Sequence, residues 1–339
     1  MKKSLLALAV LGAFAGVAQA QTSVTIYGSF DAGVRNLSNV NAAGDDRLTM
    51  GSTGTYNSNR LGFRGVEDLG GGLNAHFNLE SAFNSGTGAA DTTRFWGRTA
   101  SVGIGGAWGS IDLGRQYSVN FRTIGVYDPF NYKYTGIIPV ATQGGLTRYD
   151  NDIQYTGTFG PITARAEYAL GEVAGSARNG STQAVGVTYA GGPFAAGAAY
   201  TAGKRNVAGA AAAPSFQDMT NWTVGGAFTT GPFRVALGYA DQKQETGTVV
   251  AEGRSTDKWV GASYNVTPAL GLSLAYYRTE VELAGLDGRR NLAIFGATYA
   301  LSKRTNFYAD IDNSKLTGLS RVAGQTRQTG VSVGINHLF

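Results

Sequence analysis

The feature that most constrains this chain is an alternation of apolar and polar residues with a period of two, which recurs in segments of about ten residues. The last segment, VSVGINHLF, has Val331, Val333 and Ile335 in one register and Ser332 and Asn336 in the other. A period of two places the two sets on opposite faces of a β-strand. The chain therefore predicts many strands, each with one apolar face.

Two kinds of connector alternate between these segments. One kind is short and rich in turn residues, as in FGP at 159–161 and GGP at 191–193, and the other is longer and polar, as in GEVAGSARNGS. This pattern is typical of an up-and-down barrel with turns at one end and loops at the other. Sixteen strands are predicted, at about 23–36, 58–67, 72–84, 93–104, 109–115, 148–157, 162–170, 181–190, 194–202, 220–230, 232–241, 257–266, 270–283, 289–300, 303–313 and 327–339.

A β-sandwich or a propeller is the alternative fold, because both also contain many alternating strands. Strongly apolar faces on nearly every strand, and aromatic residues at strand ends such as Tyr276 and Phe307, favour a barrel that spans a membrane. The mean hydropathy of -0.10 agrees with this fold, since lipid-facing and water-facing residues cancel in the average. In such a fold the final strand must pair with the first, because hydrocarbon does not tolerate an open sheet edge.

The first residues have the three regions of a secretory signal peptide. Lys2 and Lys3 precede an apolar stretch from Leu5 to Val17, and Ala18-Gln19-Ala20 has the small residues of a cleavage site. We expect residues 1–20 to be a signal peptide and residues 21–339 to form the barrel; a buried N-terminal helix is the alternative. The net charge of +5 falls to +3 without the two lysines, and this mild charge gives no indication of nucleic-acid binding.

Several stretches together resemble the trimeric Gram-negative general porins, in particular the beta-proteobacterial branch. They are VTIYGSFDAGV, NRLGFRGVEDLGGGLNAHFNLE, GSIDLGRQ, YDPF, RYDNDIQY and VGINHLF. The resemblance implies an all-β fold, a sixteen-stranded antiparallel transmembrane barrel that assembles as a homotrimer in the outer membrane, among lipid and lipopolysaccharide. It also implies passive diffusion of small anions and other hydrophilic solutes, and a terminal Phe339 that the barrel assembly machinery reads.

One connector, residues 116–147, is much longer than the others and has no clear periodicity. Its apolar residues argue against a solvated flap, and a partly ordered surface loop is the alternative. In the resembled family this third loop folds into the barrel and narrows it, with a YDPF stretch near its tip. The resemblance thus assigns Tyr127, Pro129 and Phe130 to a constriction loop and predicts that Asp128 faces an arginine cluster on the wall.

Three arginines are the candidates for that cluster. Period-two phasing places Arg60 on the polar face of its strand, and Arg148 on one polar face with Asp150 and Asp152. Arg98 comes from alignment with the family motifs. A ring of guanidinium groups attracts anions and repels cations in a narrow pore. The alternative for each arginine is a structural salt bridge with Asp31, Glu80, Asp150 or Glu167.

The sequence gives no indication of catalysis, a cofactor or a metal site. His76 and His337 are the only histidines, there is no cysteine, and no G-x-S-x-G motif occurs. A substrate-specific channel is an alternative function that requires aromatic residues along the lumen, for which Tyr127, Tyr132 and Tyr134 are candidates. A surface-binding adhesin that uses the long loops is the third hypothesis.

Overall fold

The computed structural model describes residues 23–50, 55–90, 94–142, 147–207, 214–246 and 251–339. The predicted signal peptide lies outside these ranges. Within them no helix is long and apolar enough to cross a membrane. The elements are β1 (Ser23–Leu37), β2 (Arg47–Met50), β3 (Arg60–Gly70), β4 (Leu73–Ala82), β5 (Thr99–Gly106), β6 (Gly109–Tyr117), α1 (Val119–Ile124), a 3-10 helix (Pro139–Thr142), β7 (Arg148–Phe159), β8 (Ile162–Ala169), β9 (Thr182–Gly191), β10 (Phe194–Asn206), β11 (Phe216–Thr230), β12 (Phe233–Thr246), β13 (Ala251–Asn265), β14 (Leu270–Leu283), β15 (Leu286–Ala300), β16 (Thr305–Gly318) and β17 (Arg327–Leu338).

The strands form one closed antiparallel sheet. From β3 to β17 each strand pairs with the next, and β1 pairs with β3 along one edge and with β17 along the other. Sixteen of the strands are the long ones that the alternation predicts, so the sixteen-stranded barrel is confirmed. The additional strand, β2, pairs with the end of β1 and lies between the first two predicted strands, 23–36 and 58–67. Four residues are too few for alternation to reveal a strand.

The chain end closes the barrel. Ile335 lies opposite Ala32 in the β1–β17 ladder. The ladder continues to the last residue, because the Gly28 amide donates to the Phe339 carbonyl at 3.0 Å and the Phe339 amide donates to the Gly28 carbonyl at 3.2 Å. The terminal alternating strand is therefore ordered by backbone pairing, as a closed sheet requires.

The barrel is apolar outside and polar inside. On β17, Val333 is 56% exposed and Ser332 is 1% exposed, and on β16, Ile311 is 50% exposed and Asp312 is 3% exposed. The exposed apolar face suits hydrocarbon, and the opposite face, called the inner face below, suits a polar lumen. Exposed aromatic residues ring the short-turn end of the barrel: Phe159, Tyr189, Phe194, Phe228, Phe233, Tyr264, Tyr299 and Phe307.

Glycine makes the short turns between several strand pairs. Gly160, Gly192 and Gly231 each have a positive φ, and each is followed by a proline that immediately precedes the return strand. An L-residue with a side chain rarely adopts this conformation, so glycine favours these tight reversals. The Gly-Pro connectors of the sequence are confirmed as the turns of the barrel.

The closing contact at Gly28 generates a first prediction. A β-carbon at Gly28 would lie 2.3 Å from Cζ of Phe339 and 2.4 Å from the Arg60 carbonyl. We expect Gly28→Ala to destabilise the closed barrel by about 1–3 kcal/mol, the usual cost of overpacking. The measurement is the temperature at which the compact form is lost on semi-native electrophoresis. Gly226→Ala is the control, since its nearest contact would be 3.3 Å away; equal loss in both variants would contradict the prediction.

Candidate pore constriction

The long connector between β6 and β7 starts with a helix that lies against the inner face. Ser118 caps α1, since its Oγ accepts a hydrogen bond from the Phe121 amide at 3.2 Å. Val119 then packs in the space above Gly186, where a β-carbon would lie 2.6 Å from its Cγ1. The Val119 amide donates to Oε2 of Glu167 at 2.9 Å. These contacts hold the start of the connector to the β8–β9 wall.

Tyr127 anchors the middle of the connector. Its hydroxyl lies 2.7 Å from Oγ1 of Thr223 on β11, and its carbonyl accepts from Nε1 of Trp259 on β13 at 3.2 Å. Tyr127 is fully buried. Its ring fills the space over Gly225, where a β-carbon would lie 2.2 Å away from it. The wall is therefore shaped for this ring.

Arg234 fixes the backbone that follows Tyr127. Its guanidinium donates to the carbonyls of Val126, Asp128 and Pro129 at 2.9 to 3.1 Å. The connector thus has a defined path in which a charged side chain of β12 satisfies three backbone acceptors that would otherwise need water.

The second half of the connector adds apolar packing. Phe130 contacts Tyr277 and Tyr134 through their rings, with centroids 6.3 and 5.0 Å apart. Burying a side chain such as Phe130 contributes about 1.5–3 kcal/mol. The buried cluster combines the connector with the inner faces of β12–β15 and contains Ile124, Tyr127, Phe130, Tyr134, Ile137, Ile138, Val140, Ala240, Trp259, Ala275, Tyr277, Leu292 and Ile294.

The structure brings the three predicted arginines together. Arg60, Arg98 and Arg148 line one cavity of about 660 Å³, and the connector contributes Tyr132 and Lys133 to the same cavity. Arg60 and Arg148 begin β3 and β7, and Arg98 immediately precedes β5. The basic groups therefore lie where three strands begin, at the loop end of the barrel, and they face the connector.

Glu80 on β4 is the counter-charge of this cluster. It accepts from Nε of Arg98 at 2.5 Å and lies 3.7 Å from Nε of Arg60. Among the residues that the structure describes, the side chains that line the cavity carry four cationic groups and one carboxylate. Both hypotheses for the arginines apply in part, since Arg98 forms a salt bridge with Glu80 and still lines the cavity.

Tyr117 supports two of the guanidinium groups. Its hydroxyl accepts from Nη2 of Arg98 at 2.6 Å, and Arg148 lies over its ring at 4.1 Å from the centroid. The Tyr117 ring stacks on Phe121, which stacks on Tyr132 at 4.1 Å. The aromatic stack links the wall arginines to the connector and restricts the motion of Arg148.

Asp128 does not line the cavity, in contrast to the prediction that it faces the arginines. Its carboxylate is fully buried and accepts from the Tyr277 hydroxyl at 2.9 Å and from the amides of Phe130 and Tyr132 at 3.1 and 2.8 Å. The YDPF stretch turns this side chain toward the far wall because the carboxylate there satisfies three donors.

The predicted polar face of β7 is also interrupted. Asn151 has a φ of 52°, and the pairing of β6 with β7 shifts between Gly114 and Gln116. This bulge breaks the period of two, so Asp152 is buried while Asp150 is exposed and pairs with Arg94 and Arg115. The predicted polar face of β7 is thus interrupted between Asp150 and Asp152, and Asp150 does not join Arg148 in the lining of the arginine cavity.

The candidate aromatic residues of a substrate-specific channel are mostly buried. Tyr127 and Tyr134 are 0% and 1% exposed, and of the three candidates Tyr132 alone lines the arginine cavity. Within the residues that the structure describes, no group of histidine, aspartate or glutamate is placed to hold a metal ion.

Lys133 of the connector lies beside the Tyr56 ring, at the edge of the arginine cavity. The Lys133 ammonium is 5.3 Å from the centroid of the Tyr56 ring. Burial, with Arg60 as a second cause, lowers the pKa of Lys133 to about 8, while burial raises the pKa of Tyr56 to about 12. The lysine is therefore the group at this edge whose charge changes between neutral and mildly alkaline pH.

The sequence profile of the Gram-negative porin family matches residues 7–319. The chain is a Gram-negative porin. Outer membrane porin protein 32 of Delftia acidovorans is 32% identical to this porin, and an outer membrane porin protein of Bordetella pertussis is 30% identical, each over 100% of both chains. This porin is accordingly an outer-membrane channel protein and not an enzyme.

Solved porin structures share its fold. The anion-selective porin from Comamonas acidovorans superposes with a TM-score of 0.80 at 26% identity, over 94% of this chain and 100% of that one. The trimer form of OmpT from Vibrio cholerae superposes with a TM-score of 0.72 at 16% identity, over 94% and 99% of the two chains.

The buried carboxyl of Asp128 predicts a pH dependence of the connector. Burial raises its pKa to about 6, although hydrogen bonds from Tyr132 and Tyr277 and the charge of Arg234 oppose the increase. A detached connector would return the carboxyl to an ordinary pKa near 4. Attachment is therefore strongest below about pH 4 and weakens by on the order of 2–3 kcal/mol as the pH rises to 6, because only the attached form still holds the proton.

We expect hydrogen exchange of connector peptides, corrected for intrinsic rates, to be less protected at pH 7.5 than at pH 4.5. Asp128→Asn should remove this difference, whereas Asp45→Asn in the exposed first loop should retain it. An unchanged pH dependence in Asp128→Asn would show that other groups control the attachment.

Proposed function

We propose that this porin is a diffusion channel with a preference for small anions, set by Arg60, Arg98 and Arg148. The observation that carries the proposal is the gathering of these three groups, with Lys133 opposite and Glu80 as the one carboxylate among the side chains of the cavity. The likeness to a porin described as anion-selective supports it. Small hydrophilic solutes and ions would cross passively, down their gradients.

The physical basis of the preference is an unequal electrostatic potential for the two signs of ion. A unit charge at roughly 5 Å from an ion in water changes its energy by about 0.8 kcal/mol, which is about a fourfold change in local ion concentration. Arginine keeps its charge at any pH that the bacterium meets. Three fixed guanidinium groups would thus enrich anions and deplete cations at the narrowest part of the pore.

We further propose that residues 116–147 are the constriction loop. Tyr127, Pro129 and Phe130 would hold it against the β11–β14 wall. Asp128 would stabilise it as a buried hydrogen-bond acceptor instead of facing the arginines. The contacts with Arg234, Trp259 and Tyr277 support this role, because a loop that narrows a pore must resist the flow of solute.

The remaining parts of the proposal concern export and assembly. Residues 1–20 would be removed as a signal peptide, and residues 21–339 would form the mature barrel. The mature porin would be a homotrimer surrounded by lipid and lipopolysaccharide. Phe339, which completes the β1–β17 ladder, would also be read by the barrel assembly machinery.

The zero-current potential under a potassium chloride gradient tests the anion preference. We expect an anion-selective sign in the parent and a loss of that preference when Arg60, Arg98 and Arg148 are all changed to glutamine. Glu80→Gln should shift the potential further toward anions, because it removes the counter-charge. Arg304→Gln, in the turn before β16, is the control. Cation selectivity of the parent, or a triple variant that matches it, would refute the proposal.

Lys133 predicts that the anion preference depends on pH. Since its pKa is about 8, its charge is present at pH 6.5 and largely lost at pH 9.5. The Tyr56 ring beside it keeps its proton through that interval, because burial raises the pKa of Tyr56 to about 12, and the neighbouring guanidinium groups stay charged.

We therefore expect the anion to cation permeability ratio of the parent to fall by up to about sixteenfold between pH 6.5 and 9.5, about fourfold from each sign of ion. Lys133→Arg should keep the ratio constant, because arginine remains charged. The same decrease in both proteins would assign the effect to another group.

A further inference from the structure

The backbone pairing of β1 with β2 and β3 has a gap. At this gap a second chain segment, in addition to the connector between β6 and β7, lies inside the barrel. Met50 of β2 lies opposite Val34, and Arg60 of β3 lies opposite Ser29. Four residues of β1, 30–33, are thus matched by nine chain residues, 51–59, which is five more than an antiparallel ladder can use. The described part of this surplus, residues 55–59, lies on the inner side, where Thr55, Asn57 and Asn59 are buried.

Asp31 holds this segment to the wall. One carboxylate oxygen accepts from the Asn57 amide at 2.8 Å, and the other accepts from the Tyr308 hydroxyl of β16 at 2.8 Å. The Asp31 amide in turn donates to Oδ1 of Asn59 at 2.5 Å. Within the gap, the Asn59 side chain thus replaces the backbone partner of the Asp31 amide.

Asn57 ties the segment to the terminal strand as well. Its Nδ2 donates to Oγ of Ser29 at 2.8 Å and to Oδ1 of Asn336 on β17 at 3.2 Å. The segment is thus attached to β1, β16 and β17, and only β15 separates β16 from the β11–β14 wall that holds Tyr127 and Asp128.

The same segment contacts the connector between β6 and β7 just beyond Phe130. The Tyr134 amide donates to the Tyr56 carbonyl at 2.7 Å, and Oγ of Ser58 donates to Oγ1 of Thr135 at 3.3 Å. The Tyr56 ring stacks on Tyr308 and meets the Tyr134 ring edge to face, with both pairs of centroids 5.1 Å apart.

The backbone of this part of the connector, residues 131–134, must be held in place by contacts from other segments. Asn131, Tyr132 and Tyr134 have φ values of 49°, 57° and 57°, which is an unfavourable backbone conformation for residues with side chains. Such a conformation persists only where the surroundings impose it. Asn131, Tyr132 and Lys133 also line the arginine cavity, so their position determines its free width.

We propose that residues 55–59 are a strut that holds the constriction loop from the β1–β16 side and thereby sets the width of the pore. Asp31 is its positioning residue, and it acts through Asn57 and Tyr308 without lining the arginine cavity. The inference rests on the proposed role of residues 116–147 as the constriction. It adds a second inward segment and a second wall of attachment to that loop.

The test combines a conductance measurement with a crosslink. Asp31→Asn weakens the acceptor of the strut, and Asp257→Asn is the matched control, since Asp257 is also a buried inner carboxylate that accepts from a hydroxyl, that of Thr279. Both variants remove one negative charge from the lumen. We expect a higher single-channel conductance and more open-channel noise in Asp31→Asn than in Asp257→Asn.

The crosslink reports the placement of the strut without reference to conductance. The chain has no cysteine, so S58C together with T135C gives one defined pair. Oxidation of the folded porin with copper phenanthroline should form the disulfide, visible as a mobility shift that the single variants lack. In the Asp31→Asn background the disulfide should restore low noise.

The outcomes separate this inference from the proposed function. Absence of the disulfide in the folded barrel, or equal conductance and noise in Asp31→Asn and Asp257→Asn, would overturn the strut. If the disulfide forms but neither Asp31→Asn nor Tyr56→Leu changes conductance, the strut is in place on a loop that does not limit the pore, and the inference also fails. The zero-current potential of the triple arginine variant does not depend on the strut. Its result therefore tests the selectivity proposal separately from the strut. Tyr56→Leu decides the case if Asp31→Asn does not fold.

Discussion

Closure of the backbone ladder between the first and last long strands is the constraint on which the rest of this porin depends. Hydrocarbon offers no hydrogen-bonding partner, so every edge amide and carbonyl must be paired within the sheet. The pairing of Gly28 with Phe339 completes the ring. Once the ring is closed, each strand has a fixed inner face, and all polar chemistry of the protein is confined to the lumen and the loops.

The connector between β6 and β7 fills part of the polar interior of the barrel, which has no hydrophobic core formed by the described strands alone. The connector between β6 and β7 brings its own apolar residues, and the wall opposite contributes Trp259 and Tyr277, so that one compact cluster forms inside the barrel. The glycine at position 225 leaves room for the Tyr127 ring of this cluster. The cluster lies to one side, and the arginine side of the lumen stays open to solvent.

Alternation was enough to predict the barrel, because a single period governs every strand and the outer face must be apolar throughout. It also placed Arg60 on an inner face. It did not carry through from Asp150 to Asp152, where the bulge at Asn151 shifts the phase, and bulges have no reliable signal in one sequence. Resemblance supplied Arg98, which precedes β5 and lies outside the alternation.

The orientation of Asp128 and the path of residues 55–59 were beyond sequence reasoning for another reason. Both depend on which distant strands meet across the lumen, and the donors involved, such as the Tyr277 hydroxyl, are ordinary residues of their own strands. The length of the first connector was the available signal, since it exceeds what a simple loop between β1 and β3 needs. Its meaning became clear only from the register of Met50 and Arg60 against β1.

Glu80 has a consequence for the speed of transport. A channel must attract an ion strongly enough to admit it and weakly enough to let it leave. A cluster of guanidinium groups with no counter-charge would form a deep well in which a multivalent anion dwells, and the dwell time would then limit the flux. By accepting from Arg98 and lying near Arg60, the Glu80 carboxylate makes that well shallower. On the proposed anion path, one acidic residue among the basic ones would thereby favour rapid turnover of ions over tight capture.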